Sequence, residues 1–231
     1  MTHDEPAPSD ASPLAYMRQK MGQADAAFRR DLQAATGTAD LVRLARSILA
    51  LCDEVAEALK RLSPAAPLAC RKGCDTCCRN LVQVNPPFAI LAVHEARQTF
   101  PPERLQALKD RVQAGVPFCP FLFDGSCTIY AARPMVCRGY YSLDVDLCRQ
   151  GEYCEKERGY QGDQAHDAHQ LMIFLFALEK RLESIETELG LRSDPVFLND
   201  AAGTLLTDAD APAHWLAGSP LLETPPSPPE A

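Results

Sequence analysis

Residues 70–78 read CRKGCDTCC, four cysteines in nine residues with the last two adjacent. No other feature of this 231-residue chain restricts its fold so tightly. Five more cysteines follow at Cys119, Cys127, Cys137, Cys148 and Cys154, so nine of the ten fall between residues 70 and 154. Inert buried thiols and disulfides account poorly for such a density. Ligands for a soft or borderline metal account for it well. Four thiolates hold a zinc ion tetrahedrally, and four also hold an iron–sulfur cluster. The residues do not separate these two cofactors. The tenth cysteine, Cys52, stands on an apolar helical stripe and is expected to be an ordinary core residue.

Local sequence adds geometry to the two groups. Gly73 lies just before Cys74, where the chain has to bend if Cys70, Cys74, Cys77 and Cys78 are to point at common targets. Neighbouring side chains diverge, so Cys77 and Cys78 are expected to serve two metals, or one of them to stand behind the other. In CPFLFDGSCTIY the Asp124-Gly125 pair is a hairpin-turn signal between two β-prone flanks, 121–123 and 128–130. Folding there is expected to bring Cys119 and Cys127 together across the ribbon. Arg133-Pro134 then redirects the chain toward Cys137. Arg71, Lys72, Arg79, Arg133, Arg138 and Arg149 lie within a few residues of cysteines, in a chain of net charge −8. Cations there would offset the formal −2 of a zinc ion with four thiolates, and would lower thiol pKa values.

The whole chain excludes other classes. An acidic chain with pI near 5 lacks the clustered cations that nucleic acid binding requires. No run approaches the roughly 18 apolar residues of a membrane span. The start, MTHDEPAPSDASP, has neither the basic nor the apolar region of a signal peptide. The expected location is the cytoplasm, where thiols stay reduced. Expected partners are a metal ion or cluster, with no nucleic acid and no membrane.

Apolar periodicity predicts most of the elements. Residues 14–35 and 39–62 carry helical stripes, with Gly37 as a stop and Thr38 as a restart cap. The pair is expected to form a hairpin ended by Pro64 and Pro67. Pro86-Pro87 opens a further helix, and another follows Pro101-Pro102. Residues 165–189 form a helix whose LMIFLFAL centre is expected to be buried all round. A short helix is expected over 207–217. The fold class is mainly α: a helical scaffold with an irregular cysteine-rich metal-binding insert containing a short β-hairpin. The expected divisions are a disordered tail over 1–13, a helical hairpin over 14–66, the cysteine-cluster region over 67–160, helices packing on the same domain over 161–222, and a tail over 223–231.

These cysteine segments resemble a known family, the YkgJ-type cysteine-cluster proteins, described as a zinc- or iron-chelating domain. The resemblance is carried by CRKGCDTCC at 70–78, CPFLFDGSCTIYAARPMVCRGY at 119–140, and Cys148. It covers about 80 residues, a third of the chain. It implies Cys70, Cys74, Cys77, Cys78, Cys119, Cys127, Cys137 and Cys148 as the metal ligands, with Cys154 outside the pattern. The flagellin lysine methylases look related through the same cluster and carry an iron–sulfur centre. Three functions are therefore expected in turn: a metal or iron–sulfur protein of unassigned role, a module whose closed zinc sites hold a scaffold, and an enzyme by analogy with the methylases.

Other constellations are weaker. Cys70-x3-Cys74-x2-Cys77 matches the ligand spacing of radical S-adenosylmethionine enzymes, but no run of alternating strands and helices follows. His94-Glu95 lacks the second histidine of a zinc protease. His166 and His169 share a helix face that continues into Ile173 and Phe176, and that face is expected to be buried. Tyr130, Tyr140 and Tyr141 are expected to pack over the cluster.

Overall fold

A computed structural model describes residues 12–62, 68–150 and 167–222. Pro64, Pro67, Cys154, His166 and most of both expected tails lie outside these residues. The described chain is mainly helical, with two small antiparallel ladders.

Helix α1 runs Pro13–Gln33 and starts where the Ser12 side chain accepts a hydrogen bond from the Ala15 amide, with proline at the first turn. Helix α2 runs Thr38–Leu62. Gly37 does not adopt a left-handed stop, and Thr38 is not the cap. Asp40 instead reaches back to accept from the Thr36 amide at 2.8 Å and from its hydroxyl at 2.9 Å. The two helices fold back on each other, so Tyr16 near the start of α1 donates to Glu54 late in α2.

Helix α3, Pro86–Thr99, and helix α4, Pro102–Gln113, both begin on the proline pairs that foretold them. Strand β2, Leu122–Phe123, and strand β3, Ser126–Cys127, form the hairpin. Short helices α5, Met135–Gly139, and α6, Val145–Arg149, follow. Helix α7, Asp167–Glu188, then crosses the molecule, packing on α1, α2 and α5. Its Phe174, Leu175, Leu178, Leu182 and Ile185 are buried.

Two expectations about α7 fail. Its centre is not enclosed: Ile173 is 51% exposed and Phe176 44%. An α-helix that packs on neighbours along one stripe leaves its far side open, even when that side is apolar.

The chain then forms strand β4, Val196–Phe197, helix α8, Leu198–Thr207, and helix α9, Ala211–Leu216. The single helix expected over 207–217 is thus α9 alone, and α8 was not foreseen. LNDAAGTLLT is rich in weak helix formers, so packing decides its state. Gly203 shows how close that packing is: a Cβ there would lie 2.9 Å from Val112 of α4. Strand β4 pairs antiparallel with β1, Gln83–Val84, and the Leu198 amide extends the ladder to the Val82 carbonyl at 2.9 Å. This pairing ties the end of the first cysteine segment to the last third of the chain.

The interior joins α1, α2, α3, α7 and α8 in one apolar core, with Trp215 of α9 fully buried. Cys52 belongs to that core, 2% exposed, and burial pushes its thiol up to about 12. Among the described residues no helix is long and apolar enough to cross a membrane.

Candidate metal centre

The first cysteine segment is shaped by two turns. Gly73 takes φ +94°, and the Cys74 amide closes a turn onto the Arg71 carbonyl at 3.0 Å. A 3-10 turn over Thr76–Arg79 then carries Cys77 and Cys78, with the Cys78 amide bonded to Asp75 O at 2.9 Å.

The second segment is attached directly to the first. The Cys119 amide donates to the Cys78 carbonyl at 2.9 Å. Asn199 of α8 fixes the approach to Cys119, its Nδ2 donating to Val116 O at 2.8 Å and Phe118 O at 3.0 Å. Nothing in the sequence marks Asn199, because its partners lie more than 80 residues away.

The hairpin forms at the expected pair, with Asp124 at φ +50° and Gly125 at φ +68°, as a two-residue primed turn requires. In the ladder Cys127 pairs with Leu122, and Cys119 lies beyond the paired residues. The second strand ends soon after Cys127: the Thr128 amide still bonds Phe121 O, but Tyr130–Ala132 turns into a 3-10 helix. Cys119 stays near Cys127 because a tight turn, Leu122 N to Cys119 O at 3.1 Å, swings it back.

Further along, Arg138 pins the turn that carries Cys137. Its Nη2 donates to Ala131 O at 2.7 Å and its Nε to Arg133 O at 3.2 Å, while Nη1 pairs with Asp53 of α2. Ser142 joins this region to the first segment, since its amide donates to Cys70 Sγ at 3.0 Å and its carbonyl accepts from Ala69. Asp144 caps α6, which packs on the 3-10 turn of Cys77 and Cys78.

The outcome is a shared chamber. Cys70, Cys74, Cys77 and Cys78 line one cavity of about 360 Å³ together with Cys119, Cys127 and Cys137. Cys148 does not line it but lies close enough to Cys70 to raise its pKa. The charge interactions sort the thiols. Cys70 feels Cys74, Cys148 and Cys77. Cys137 feels Cys119, Cys77 and Cys127. Cys78 stands between Cys77 and Cys127. Hydrogen bonding with it lowers both neighbours and raises Cys78 itself. Burial pushes Cys70 up to about 11 and Cys119 up to about 12, and it also raises Cys137.

All nine described cysteines are free thiols. Among the described residues, no group of three or more His, Cys, Asp or Glu side chains stands ready to hold a metal ion. The donor chemistry suits zinc or an iron–sulfur centre, while the thiols are hydrogen-bonded and neighbouring instead of gathered on one point.

Tyr130, Tyr140 and Tyr141 line the cavity, as do Arg71, Arg133 and Arg138. Arg79 and Arg149 instead pair with Asp75 and Asp146 nearby. His169 stands behind Tyr141, its Nδ1 3.1 Å from the phenol oxygen. His94 lines a separate small cleft between α3, the end of α8, Thr38 and Pro212.

No family model matches the chain, and no curated protein or solved structure is detectably similar to it. The resemblance to YkgJ-type proteins therefore stands on the motif residues alone.

Proposed function

We propose that the chain is a cytoplasmic metal-binding protein of the cysteine-cluster type, holding zinc or an iron–sulfur centre. The observation that carries this reading is the convergence of seven cysteines, from positions 70 to 137, on one cavity. Chance burial does not bring thiols from separate segments to a single partly open chamber. In a reducing compartment, metal ligation is the chemistry that such a set serves.

Eight thiolates suffice for two four-ligand zinc sites, or for one iron–sulfur cluster with a second metal. Cys77 interacts with Cys70 and also with Cys78, Cys119, Cys127 and Cys137, so the neighbour relations run through it from one segment to the other. Ligation needs deprotonated thiols, and hydrogen bonding with Cys78 lowers the Cys77 and Cys127 thiols below their ordinary value. Gathering them calls for side-chain rotation within the chamber while the backbone stays linked through Cys119 and Cys78. A zinc site would supply folding energy, and an iron–sulfur centre would supply electron transfer or redox sensing. The cavity extends beyond the sulfurs to apolar walls, which favours a working site over closed zinc that only holds the scaffold.

Anaerobic purification with elemental analysis and an optical spectrum tests this. Zinc or iron should copurify, and brown colour with charge-transfer absorbance would select iron–sulfur. Cys74→Ser and Cys137→Ser should each lose metal, while Cys52→Ser keeps it and loses about 1–2 kcal/mol of stability. Folded, metal-free protein with all ten thiols open to titration would sink the reading.

A further inference from the structure

Charges along the thiol cavity do not balance. Asp53, Glu57, Lys60, Arg71, Arg133 and Arg138 all line it. Four of these cancel, Arg138 against Asp53 and Lys60 against Glu57. Arg71 and Arg133 remain, and among the described residues neither has a carboxylate partner. Arg133 faces the Cys77, Cys127 and Cys137 thiols, whose thiolate forms would offset part of its charge, while its guanidinium carries no ion pair.

Arg133 is held in place for use. Its guanidinium lies over the Tyr130 ring, 4.0 Å from the centroid. Stacking of this kind fixes the plane of the cation and leaves its edge for bidentate bonding. Its Nε is buried, yet it has no hydrogen-bond acceptor. The thiols do not serve, since that nitrogen donates to none of them. A buried donor on a charged group is costly to leave unmade, and such groups recur where a ligand supplies the acceptor. Lys72 adds positive charge at the same ring, 6.0 Å from its centroid.

Beside the seven cysteines, the wall carries the apolar side chains Leu68, Ile129, Leu171 and Leu198. At about 360 Å³ the chamber falls within the range of small-molecule pockets, about 300–1,000 Å³. We propose that it binds a small organic oxyanion, a carboxylate or a phosphate monoester. The charged head takes the free edge of Arg133, with Arg71 at the mouth, and the body lies on the apolar wall. This site stands on Arg133, Tyr130 and the apolar side of a cavity whose other lining is the seven thiols, so the anion would lie beside whatever they hold.

Calorimetric titration of the anaerobically purified protein tests it, with phenyl phosphate, benzoate and phenol as probes and metal content measured before and after. One or both anions should saturate a single site, and phenol, with the same ring but no charge, should not. The anion that binds tighter identifies the head group. Arg133→Gln should weaken binding about tenfold or more, Arg133→Lys should recover part of it, and Arg46→Gln, which lies outside the cavity, should leave it unchanged. If Arg133→Gln does not fold, the exposed Arg71→Gln makes the comparison. No saturation by either anion, or binding indifferent to the arginine variant that folds, overturns the proposal. Metal present without anion binding defeats only this inference. Anion binding by metal-free protein defeats only the metal reading.

Discussion

Glu186 of α7 is fully buried, and neither of its carboxyl oxygens has a hydrogen-bond partner. Burial holds its pKa well above the usual carboxylate range, and the charge of Glu183 adds to the shift. The unfolded chain therefore gives up this proton at lower pH than the folded protein does. The native state carries no penalty while pH stays below the unfolded value, and it loses stability as pH rises toward the folded one. Glu186→Leu should be more stable than the parent at about pH 8, by about 1–3 kcal/mol, and much less so at about pH 4. Urea denaturation at both values measures this, and a gain that is the same at each pH would refute the assignment. At the same scale the thiols differ by position. Cys52 is kept protonated by the apolar core, whereas Cys77 and Cys127 are lowered by hydrogen bonding with a neighbouring thiol. Sequence separated Cys52 from the rest because its helical stripe was visible. It could not rank the others, since their neighbours come from distant segments.

Among the elements, the 122–127 hairpin matters most to the site. Gly125 sits at φ +68°, and a Cβ there would find its nearest neighbour, Asp75 Oδ2, at 3.9 Å. Space is available, so a substitution would act through backbone strain alone. Gly125→Val should cost about 1–2 kcal/mol, displace Cys127 and lower metal content, while Gly125→Asn, which tolerates that conformation, should lose much less. Thermal melts with metal analysis would check the pair, and equal losses would show that the turn conformation is unimportant. The helices α1 to α4 were legible because stripes and proline pairs are local signals. The β1–β4 ladder was not, since two-residue strands more than 110 residues apart leave no periodicity. The hairpin tip was legible. Cys127 faces Leu122 because the turn fixes the pairing, whatever the sulfurs would prefer. The exposed side of α7 failed for a related reason: periodicity reports how apolar a face is, not whether anything covers it.

For the whole molecule, the site sits where the chain's halves meet. The first cysteine segment leads into β1, which pairs with β4, and α8 returns Asn199 to the approach of Cys119. Helices α3 and α4 lie between the two cysteine segments and bring the second back to the first. A metal shared across this junction closes a long loop, and loop entropy grows slowly enough for a few metal–sulfur bonds to offset it. Such closure makes the two segments one cooperative unit. Hydrogen exchange of the anaerobic protein, with and without a strong chelator, tests this most directly. Chelation should raise exchange in 70–78 and in 119–148 together, and in α3 and α4 between them, while the far end of the α1–α2 hairpin keeps its protection. No change in either segment, or a gain in 70–78 while 119–148 stays protected, would contradict a metal centre shared by both.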